Sequence, residues 1–568
     1  MLPVARCLLL ALNVLLLSLP SFAEPALGTS IAFALATILL TIVNVVLACY
    51  WDRGSPSGTA ATPPFQKLPA VVAGIAASIL LAVTAASWLR EILIYPHDPQ
   101  RADMLVVIQL AIHRLLQGGD PYAIYHVPWD VPMPYGPAMW GPLVVPVLLH
   151  ADVRFITLAG ALFVPIACGI AAVSWAARGE RALTLAWLTV PLALALSPEL
   201  RHFIEVGHTP VYWPMLGLFA WLVARDRWYG AAVAAGLLIV ARTTMVSIAP
   251  VLLIAVWYRA RPRLPVAAAL LSAATLLPFL PFAIWDPRAL QYGLYGSYQS
   301  VMKGFVWTST TWVQHTIGIT GWLIACGWSR AVEMVQITVL AAVYALIAAA
   351  IRRGARPLPW MALALLAFSM TTLWPVIYLY FDVCLLLICA ALAELPQTST
   401  RGVASTWGAP LAASFSAVAI AAWLMIPINA AIDAGTVADR PYLYSGFSSD
   451  ERQGEITFSW INGTRAEMLI PRRSRRDAVI DIVCEPHLPK PDAVQQLSAS
   501  LNGTVIGTVT LKDGWQHVEL PAPGRAWQIG VNELRLFLSS AVSPKELGLS
   551  DDGRKLSLAV DRLMVRTP

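Results

Sequence analysis

Apolar stretches long enough to cross a bilayer recur along this chain from its N-terminus to about Pro427, and then they stop. A membrane-spanning helix needs roughly 17–25 mostly apolar residues. Of the 568 residues, 58% are hydrophobic and 13% are charged, whereas soluble domains carry roughly 25% charged residues. This composition excludes an ordinary cytosolic enzyme. The sequence predicts a polytopic α-helical membrane protein of about 13 spans with a soluble tail.

Changes in composition divide the chain into four segments. Residues 1–27 look like a signal peptide, with Arg6 ahead of an apolar run, and a retained signal anchor fits equally well. We expect residues 28–430 to form the transmembrane domain, residues 431–450 a linker and residues 451–568 an extracytoplasmic β-sandwich. Of the 7 cysteines only Cys484 falls in the tail, so no disulfide forms within the tail.

Arginine clusters between the apolar stretches predict which side each loop faces. Basic loops stay in the cytoplasm, so the segments between the clusters, such as residues 95–137 and 285–328, face outward together with the tail. We therefore expect a multi-pass protein of the cell membrane. The net charge of +6 is small for this length and requires no nucleic acid partner. The clusters are Arg178 with Arg181, Arg225 with Arg227, Arg259 with Arg261 and Arg263, and Arg352 with Arg353 and Arg356.

The first outward loop, residues 95–137, carries the densest polar chemistry beside a span. Apolar residues at helical spacing from Met104 to Leu115 predict an amphipathic helix, which Asp103 is placed to cap. A structural cap and a catalytic carboxylate are both open for Asp103, and Asp98 lies in the turn before it. Trp and Tyr also collect where outward segments begin, as in an interfacial aromatic belt or a saccharide-binding groove. Composition does not separate these two interpretations.

Several motifs follow one another in a set order. An outward Asp and an amphipathic helix come first, and then Leu116-Gln-Gly-Gly-Asp-Pro-Tyr122, Pro134-Tyr-Gly-Pro137, Glu205-Val-Gly-His-Thr209 and Arg242. This order resembles the GT-C superfamily of membrane glycosyltransferases, specifically its polyprenyl-phosphate-mannose-dependent mannosyltransferase branch. Val107 stands where that branch has Tyr, and Gly136 interrupts its Tyr-Pro-Pro.

The resemblance implies an inverting sugar transfer from a polyprenyl phosphate at the outward ends of the spans. One carboxylate takes the proton of the acceptor hydroxyl, and cations stabilise the departing phosphate. It implies Asp103 as the base, with Asp98 second. Arg242 is the best phosphate ligand, because an Arg deep in an apolar region is costly unless paired; a pair with a helix C-terminal carbonyl is the structural alternative. The other candidates are His208 and Arg201 for the phosphate, and Tyr122, Tyr135, Glu205, Lys303 and His315 for the sugar or acceptor.

The sequence contains neither a Gly-rich phosphate loop nor a cytoplasmic Asp-x-Asp triplet. We therefore expect a lipid-phosphate donor, an envelope glycan or glycolipid as acceptor, and no cofactor. A divalent metal at the outward Asp is the weaker alternative. Tyr380 and Asp382, near another outward face, are interpreted as packing residues.

From about Asp450 the composition changes to short alternating strands, separated by turn signals such as Asn502-Gly503 and Asp513-Gly514. About 120 residues suffice for one core, and the pattern resembles jelly-roll modules of the carbohydrate-binding type. That resemblance implies a glycan-binding role, with Trp515 and His517 as candidate contacts. A structural cap or a partner-binding surface stays open, since fold does not fix function.

Three functions remain for the whole chain. The first is a glycosyltransferase that adds a sugar, mannose or arabinose-like, to an envelope glycan or glycolipid outside the membrane. The second is a glycolipid transporter or flippase, whose repeated and discontinuous spans we do not find in the sequence. The third is a non-catalytic envelope scaffold that binds glycan through its tail. The position of the charges at the outward ends favours the first.

Overall fold

The computed structural model describes residues 67–94, 103–126, 130–149, 151–196, 204, 207, 209–309, 316, 318–376, 379–393, 413, 416, 420, 424, 426–436, 439–490 and 492–567. The chain forms two compact units. One comprises residues 1–88 and 99–416, and its described part is helical apart from one short hairpin; the other comprises residues 89–98 and 417–568 and contains the two larger β-sheets. The predicted order of a helical region followed by an all-β tail is confirmed.

The helices of the first unit are mostly apolar along their whole length, as helices buried on all sides or facing lipid must be. In chain order they are α1 Lys67–Ile94, α2 Asp103–Leu116, α3 Pro137–Trp140, α4 Val144–Leu148, α5 Arg154–Ala176, α6 Arg181–Leu196, α7 Trp213–Ala224, α8 Trp228–Ala241, α9 Ile248–Arg259, α10 Leu264–Leu276, α11 Leu280–Trp285, α12 Pro287–Gln291, α13 Ser297–Val301, α14 Gly318–Ala325, α15 Val332–Arg352, α16 Pro357–Thr371 and α17 Leu379–Ala393.

Within the described ranges, four helices are long and apolar enough to cross a membrane: Lys67–Ile92, Arg154–Ala176, Arg261–Trp285 and Ser329–Arg352. The other apolar helices have 10–17 residues, which is shorter than these four spans. The total of about 13 spans therefore stays a prediction.

Consecutive helices run back and forth between two ends of the helical unit. At one end, Arg259 Nη2 donates to the carbonyl of Ala355 at 2.8 Å, and Arg259 Nη1 lies 3.7 Å from the carboxylate of Asp226. The turns after α7, α9 and α15 thus meet there, and we call this the basic end. The arginine clusters of these three turns, out of the four clusters predicted to share one side of the membrane, therefore lie at the same end of the helical unit. At the opposite end, the polar end, α8 and α16 finish and α9 and α17 begin.

The first outward loop packs into a core of its own. Its helix α2 matches the predicted amphipathic helix, and Gly118, with φ of +81°, follows it in the left-handed conformation that favours glycine. A short hairpin follows, with strand β1, Ile124–His126, antiparallel to strand β2, Asp130–Pro132. The core that holds these elements against α11 and α12 includes Ile108, Ile112, Tyr122, Met133, Trp140, Phe282 and Leu290.

The loop meets the polar end of α8 at Gly136. A Cβ at this position would lie 2.1 Å from the carbonyl oxygen of Val240 and 2.8 Å from the ring of Phe279. Glycine is therefore required here for close backbone approach, not for its φ of −78°. This contact fixes the Pro-rich part of the loop beside the last turn of α8.

The β unit consists of two antiparallel sheets. The strands are β3 Ala431–Asp433, β4 Leu443–Ser445, β5 Phe447–Gln453, β6 Ile456–Asn462, β7 Arg465–Arg472, β8 Ala478–Pro486, β9 Gln495–Leu501, β10 Thr504–Leu511, β11 Gln516–Ala522, β12 Gly530–Leu538 and β13 Leu556–Arg566. One sheet has the strand order β10-β9-β12-β7-β4. The other has the order β11-β8-β13-β6-β5, and strand β3 pairs with its β13.

Both sheets contribute alternate apolar residues to one shared core, as a sandwich requires. Fully buried members include Ile461, Met468, Ile480, Ile482, Leu497, Leu534 and Leu558. Residues 431–450, which we expected to form a linker, contain β3, β4 and the start of β5. The β fold therefore begins earlier than the composition indicates. Strands β3 and β4 were not predicted because three residues are too few to show the alternation that marks a strand in sequence.

The contact at Gly136 predicts a sharp cost for one added methyl group. We expect Gly136→Ala to destabilise the purified protein by about 1–3 kcal/mol, the usual cost of overpacking a closed contact. The matched control is Gly141→Ala, because a Cβ there meets nothing within 4 Å. Thermal unfolding in detergent compares the variants, and equal midpoints would show that the loop does not press against α8.

Candidate functional site

A buried carboxylate, Asp382, lies at the polar end in the first turn of α17 and is 0% exposed. The hydroxyl of Tyr212 donates to this carboxylate and is 2.7 Å from both of its oxygens, and Trp213 Nε1 donates to Oδ1 at 3.3 Å. Tyr212 ends a 3₁₀ helix and Trp213 begins α7, so one backbone corner supplies both donors. A charge taken out of water needs such partners.

Arg242 is the cation next to this carboxylate. It lies between α8 and the 3₁₀ helix Thr243–Ser247, in an extended conformation with φ of −144° and ψ of 115°, and it is 7% exposed. Its guanidinium is close enough to Asp382 to interact with it electrostatically. The helix breaks at Arg242, and a buried counter-charge accompanies this arginine.

Arg242 lies one short helix away from the basic end. Helix α8 has 14 residues and begins directly after the basic turn at Arg227, so it is about 21 Å long at 1.5 Å per residue. The hydrocarbon core of a bilayer is about 30 Å thick. Helix α8 by itself is therefore shorter than that core, and Arg242 follows its last residue directly. Gly136 of the outward loop packs against Val240, two residues before Arg242.

Tyr122 and Tyr135 hold the outward loop together. Tyr122 is 2% exposed, its hydroxyl donates to the carbonyl of Tyr135 at 3.1 Å, and its ring meets that of Phe282 edge to face at 5.3 Å. Burial raises the pKa of Tyr122 well above its ordinary value. Nearby, the hydroxyl of Tyr125 donates to the carbonyl of Pro121 at 2.8 Å, and burial raises its pKa to about 12. In this structure Tyr122 is a packing residue with no open ring face for a sugar.

The remaining predicted residues are spread over the helical unit. Asp103 is the first residue of α2. Lys303 Nζ lies 2.6 Å from Glu333 Oε1 in a surface ion pair. Asp98, Arg201, Glu205, His208 and His315 lie outside the described residues.

The β unit carries a cluster of rings on its six-stranded sheet. Edge-to-face contacts with centroid distances of 5.5–5.6 Å join Trp460 to both Phe458 and His487, and Phe458 to Trp515. Phe458 and Trp460 alternate with Ile461 of the core along β6, so they lie on the outer face. We call these four residues the aromatic patch. It contains the predicted Trp515.

Charged groups border the aromatic patch. His517 Nδ1 lies 3.1 Å from Asp481 Oδ1, and Arg566 Nη2 lies 2.7 Å from Asp481 Oδ2. Burial, together with the charge of Asp513, raises the pKa of Glu485 above its ordinary value, and burial lowers the pKa of His487. Both shifts favour the neutral forms, which can donate and accept hydrogen bonds beside the rings.

Among the described side chains, no three His, Cys, Asp or Glu residues are grouped so that they could hold a metal ion. The sequence analysis missed Asp382 as a site residue and missed Tyr212 as its partner. One signal was available, because an acidic residue inside an apolar span is costly and is a functional candidate by default.

Comparisons with known proteins give distant structural likenesses. No model of a known protein family matches the chain, and no curated protein matches its sequence. The arabinosyltransferase EmbB from Mycobacterium smegmatis has 11% identity and a TM-score of 0.21, over 95% of this chain and 68% of that one.

Two carbohydrate-binding modules also match. The C-terminal CBM6 of the laminarinase LamC from Zobellia galactanivorans has 14% identity and a TM-score of 0.17, over 24% of this chain and 99% of the module. The CBM36-1 domain of a xylanase from the hindgut metagenome of Trinervitermes trinervoides has 8% identity and a TM-score of 0.16, over 25% and 98%. TM-scores of this size do not establish a shared fold.

Removal of the buried counter-charge should destabilise the helical unit. We expect Asp382→Asn to cost about 3–5 kcal/mol, because it leaves Arg242 buried without its carboxylate. The control is Asp226→Asn at the basic end, where the carboxylate is 59% exposed and its loss should stay within about 0.5 kcal/mol. Thermal unfolding midpoints of the purified variants test this, and a small effect of Asp382→Asn would mean that Arg242 is stabilised by other groups.

Proposed function

We propose that this protein is an integral membrane glycosyltransferase that transfers a sugar from a polyprenyl-phosphate donor to a cell-envelope glycan or glycolipid. The observation that carries the proposal is the buried pair of Arg242 and Asp382 at the polar end, beside the Pro-rich part of the first outward loop. A cation buried among apolar helices suits a phosphate that arrives within the membrane on a lipid, and it suits a soluble nucleotide sugar poorly.

In this proposal Arg242 binds the donor phosphate. A guanidinium has five N–H donors arranged to meet two phosphate oxygens at once. Asp382 acts as a positioning residue, because its carboxylate holds the cation in place while Tyr212 and Trp213 hold the carboxylate. The positive charge is thus fixed before the substrate arrives, which is the arrangement that stabilises a transition state most effectively.

The proposed transfer inverts the anomeric carbon. The acceptor hydroxyl oxygen forms a bond to that carbon as its proton moves to the carboxylate of Asp103 at the start of α2. The bond between the anomeric carbon and the phosphate oxygen breaks, and the electron pair leaves with the polyprenyl phosphate. Arg242 stabilises the charge that develops there. Asp98 is the second candidate for the base.

The orientation and the sugar belong to the proposal as well. With the basic end in the cytoplasm, the polar end and the β unit face the outside of the cell membrane. The order of motifs in the sequence supports mannose or an arabinose-like sugar as the transferred group. The aromatic patch of the β unit would hold the acceptor glycan through the half-buried rings of Trp460 and Trp515, since sugar rings pack on accessible aromatic faces.

A transfer assay with the purified full chain tests the catalytic proposal. Synthetic polyprenyl-phosphate sugars serve as donors, and release of polyprenyl phosphate is measured. We expect Asp103→Asn to lower the rate by about 10²–10⁴-fold, the usual contribution of a general base, and Arg242→Gln to abolish transfer. Asp98→Asn separates the two candidate bases.

The matched control for this assay is Asp130→Asn, since that side chain is 73% exposed on the same outward loop and its loss should leave the rate unchanged. Donor consumption that survives Asp103→Asn and Asp98→Asn would remove both proposed bases. Movement of the intact donor across the bilayer, without release of polyprenyl phosphate, would identify a transporter. If no donor is consumed while glycan still binds, the protein is a scaffold.

Glycan binding by the aromatic patch is tested separately. We expect Trp460→Ala in the full chain to weaken binding of envelope glycan fragments about tenfold, equivalent to about 1.4 kcal/mol, in calorimetric titrations. Phe537→Ala is the control, because that ring is 40% exposed on β12 of the other sheet. Equal losses in both variants would exclude the patch as the binding surface.

A further inference from the structure

The basic end collects positive charge that the proposed transfer reaction does not use. The turns after α7, α9 and α15 meet there through the contacts of Arg259 with Ala355 and Asp226. Together the three turns hold eight arginines against one carboxylate, that of Asp226. The arginines are Arg225, Arg227, Arg259, Arg261, Arg263, Arg352, Arg353 and Arg356.

Two adjoining depressions open between these turns. The larger, of about 590 Å³, is lined by Asp226, Arg259, Arg263 and the backbone of Gly354, among others. The smaller, of about 310 Å³, is lined by Arg259 and Arg356 at the start of α16. Arg259 lines both, so the two depressions share one wall, and we call them together the groove; three arginines and one carboxylate line it.

The arginines of the groove differ in how many hydrogen-bond and ion-pair partners they have. Arg259 donates to the carbonyls of Gly354 and Ala355 and lies 3.7 Å from Asp226. Arg263 is exposed, and no described carboxylate lies within ion-pair distance of it. The groove therefore carries excess positive charge and an arginine that is available to an anion.

Stacked Trp–Arg pairs indicate the depth at which the groove lies. The guanidinium of Arg261 lies 4.4 Å from the ring centroid of Trp257, and that of Arg225 lies 5.6 Å from the ring centroid of Trp221. Both indole rings are more than 40% exposed. Exposed Trp beside Arg at the ends of apolar helices is typical of the lipid headgroup region.

Uncovered apolar surface adjoins the groove. The span Arg261–Trp285 begins at the groove and is 17% buried, and the span Ser329–Arg352 ends there and is 11% buried. An occupant of this place would meet arginines at the groove and apolar side chains directly beside it. That combination matches a molecule with an anionic head and hydrocarbon tails.

We propose that the groove binds the phosphodiester headgroup of an anionic phospholipid, with the acyl chains lying along α10 and α15. Arg259 and Arg263 contact the phosphate, and the Asp226 carboxylate orients Arg259 from the other side. Basic pockets between spans on the cytoplasmic side bind anionic headgroups in this way. The site is at the opposite end from Arg242 and does not depend on the proposed sugar transfer.

Native mass spectrometry of the full chain in detergent tests the site with short-chain phosphatidylglycerol as the probe. We expect Arg263→Gln to weaken phosphatidylglycerol binding about fivefold, the usual contribution of one arginine near a lipid headgroup. Arg263→Lys should restore most of it. The control is Arg330→Gln, an exposed arginine beside α15 at the polar end, which should bind like the wild type.

Two further probes identify the occupant. Phosphatidylcholine should bind much more weakly than phosphatidylglycerol, because its headgroup carries no net charge. Inorganic phosphate should not displace phosphatidylglycerol, since it has no chains to bury. Displacement by phosphate alone would assign the groove to a free anion, and equal binding by Arg263→Gln and Arg330→Gln would overturn the proposal.

Discussion

The burial of Arg242 and Asp382 in an otherwise apolar helical unit is the constraint on which the polar end depends. Neither charge is tolerable there alone, and together they are stable only while their hydrogen-bond partners stay in place. Tyr212 and Trp213 supply the hydrogen bonds from the corner ahead of α7. Arg242 lies at the break after α8, and Asp382 lies in the first turn of α17. Three separate helix ends are therefore fixed to one another by electrostatics.

The two ends of the helical unit have different chemistry. At the polar end Arg242 and Asp382 are buried together, and the first outward loop presses on α8 through Gly136. At the basic end the arginines are mostly exposed and surround an open groove. The proposed transfer uses the buried pair at one end, and the proposed lipid headgroup site uses the exposed arginines at the other. The β unit adds an aromatic patch whose rings include Trp460 and Trp515.

Local patterns predicted much of the fold. Helical spacing predicted α2 almost to the residue, and alternation with turn signals predicted most strands of the sandwich. Each of these depends on residues close together in the chain. Strands β3 and β4 were missed, because three residues carry too little alternation to distinguish a strand from a linker.

Local sequence patterns sufficed to predict apolar helices followed by a β-sandwich, with basic turns that share one end. They did not predict the partner of Arg242. Tyr212 and Asp382 are 170 residues apart in the chain, and a carboxylate within an apolar run is the same in sequence whether it packs inertly or balances a cation. Only the tertiary structure decided this, and only it buried Tyr122 in the loop core, because long-range packing sets which polar groups meet and which are shielded from water.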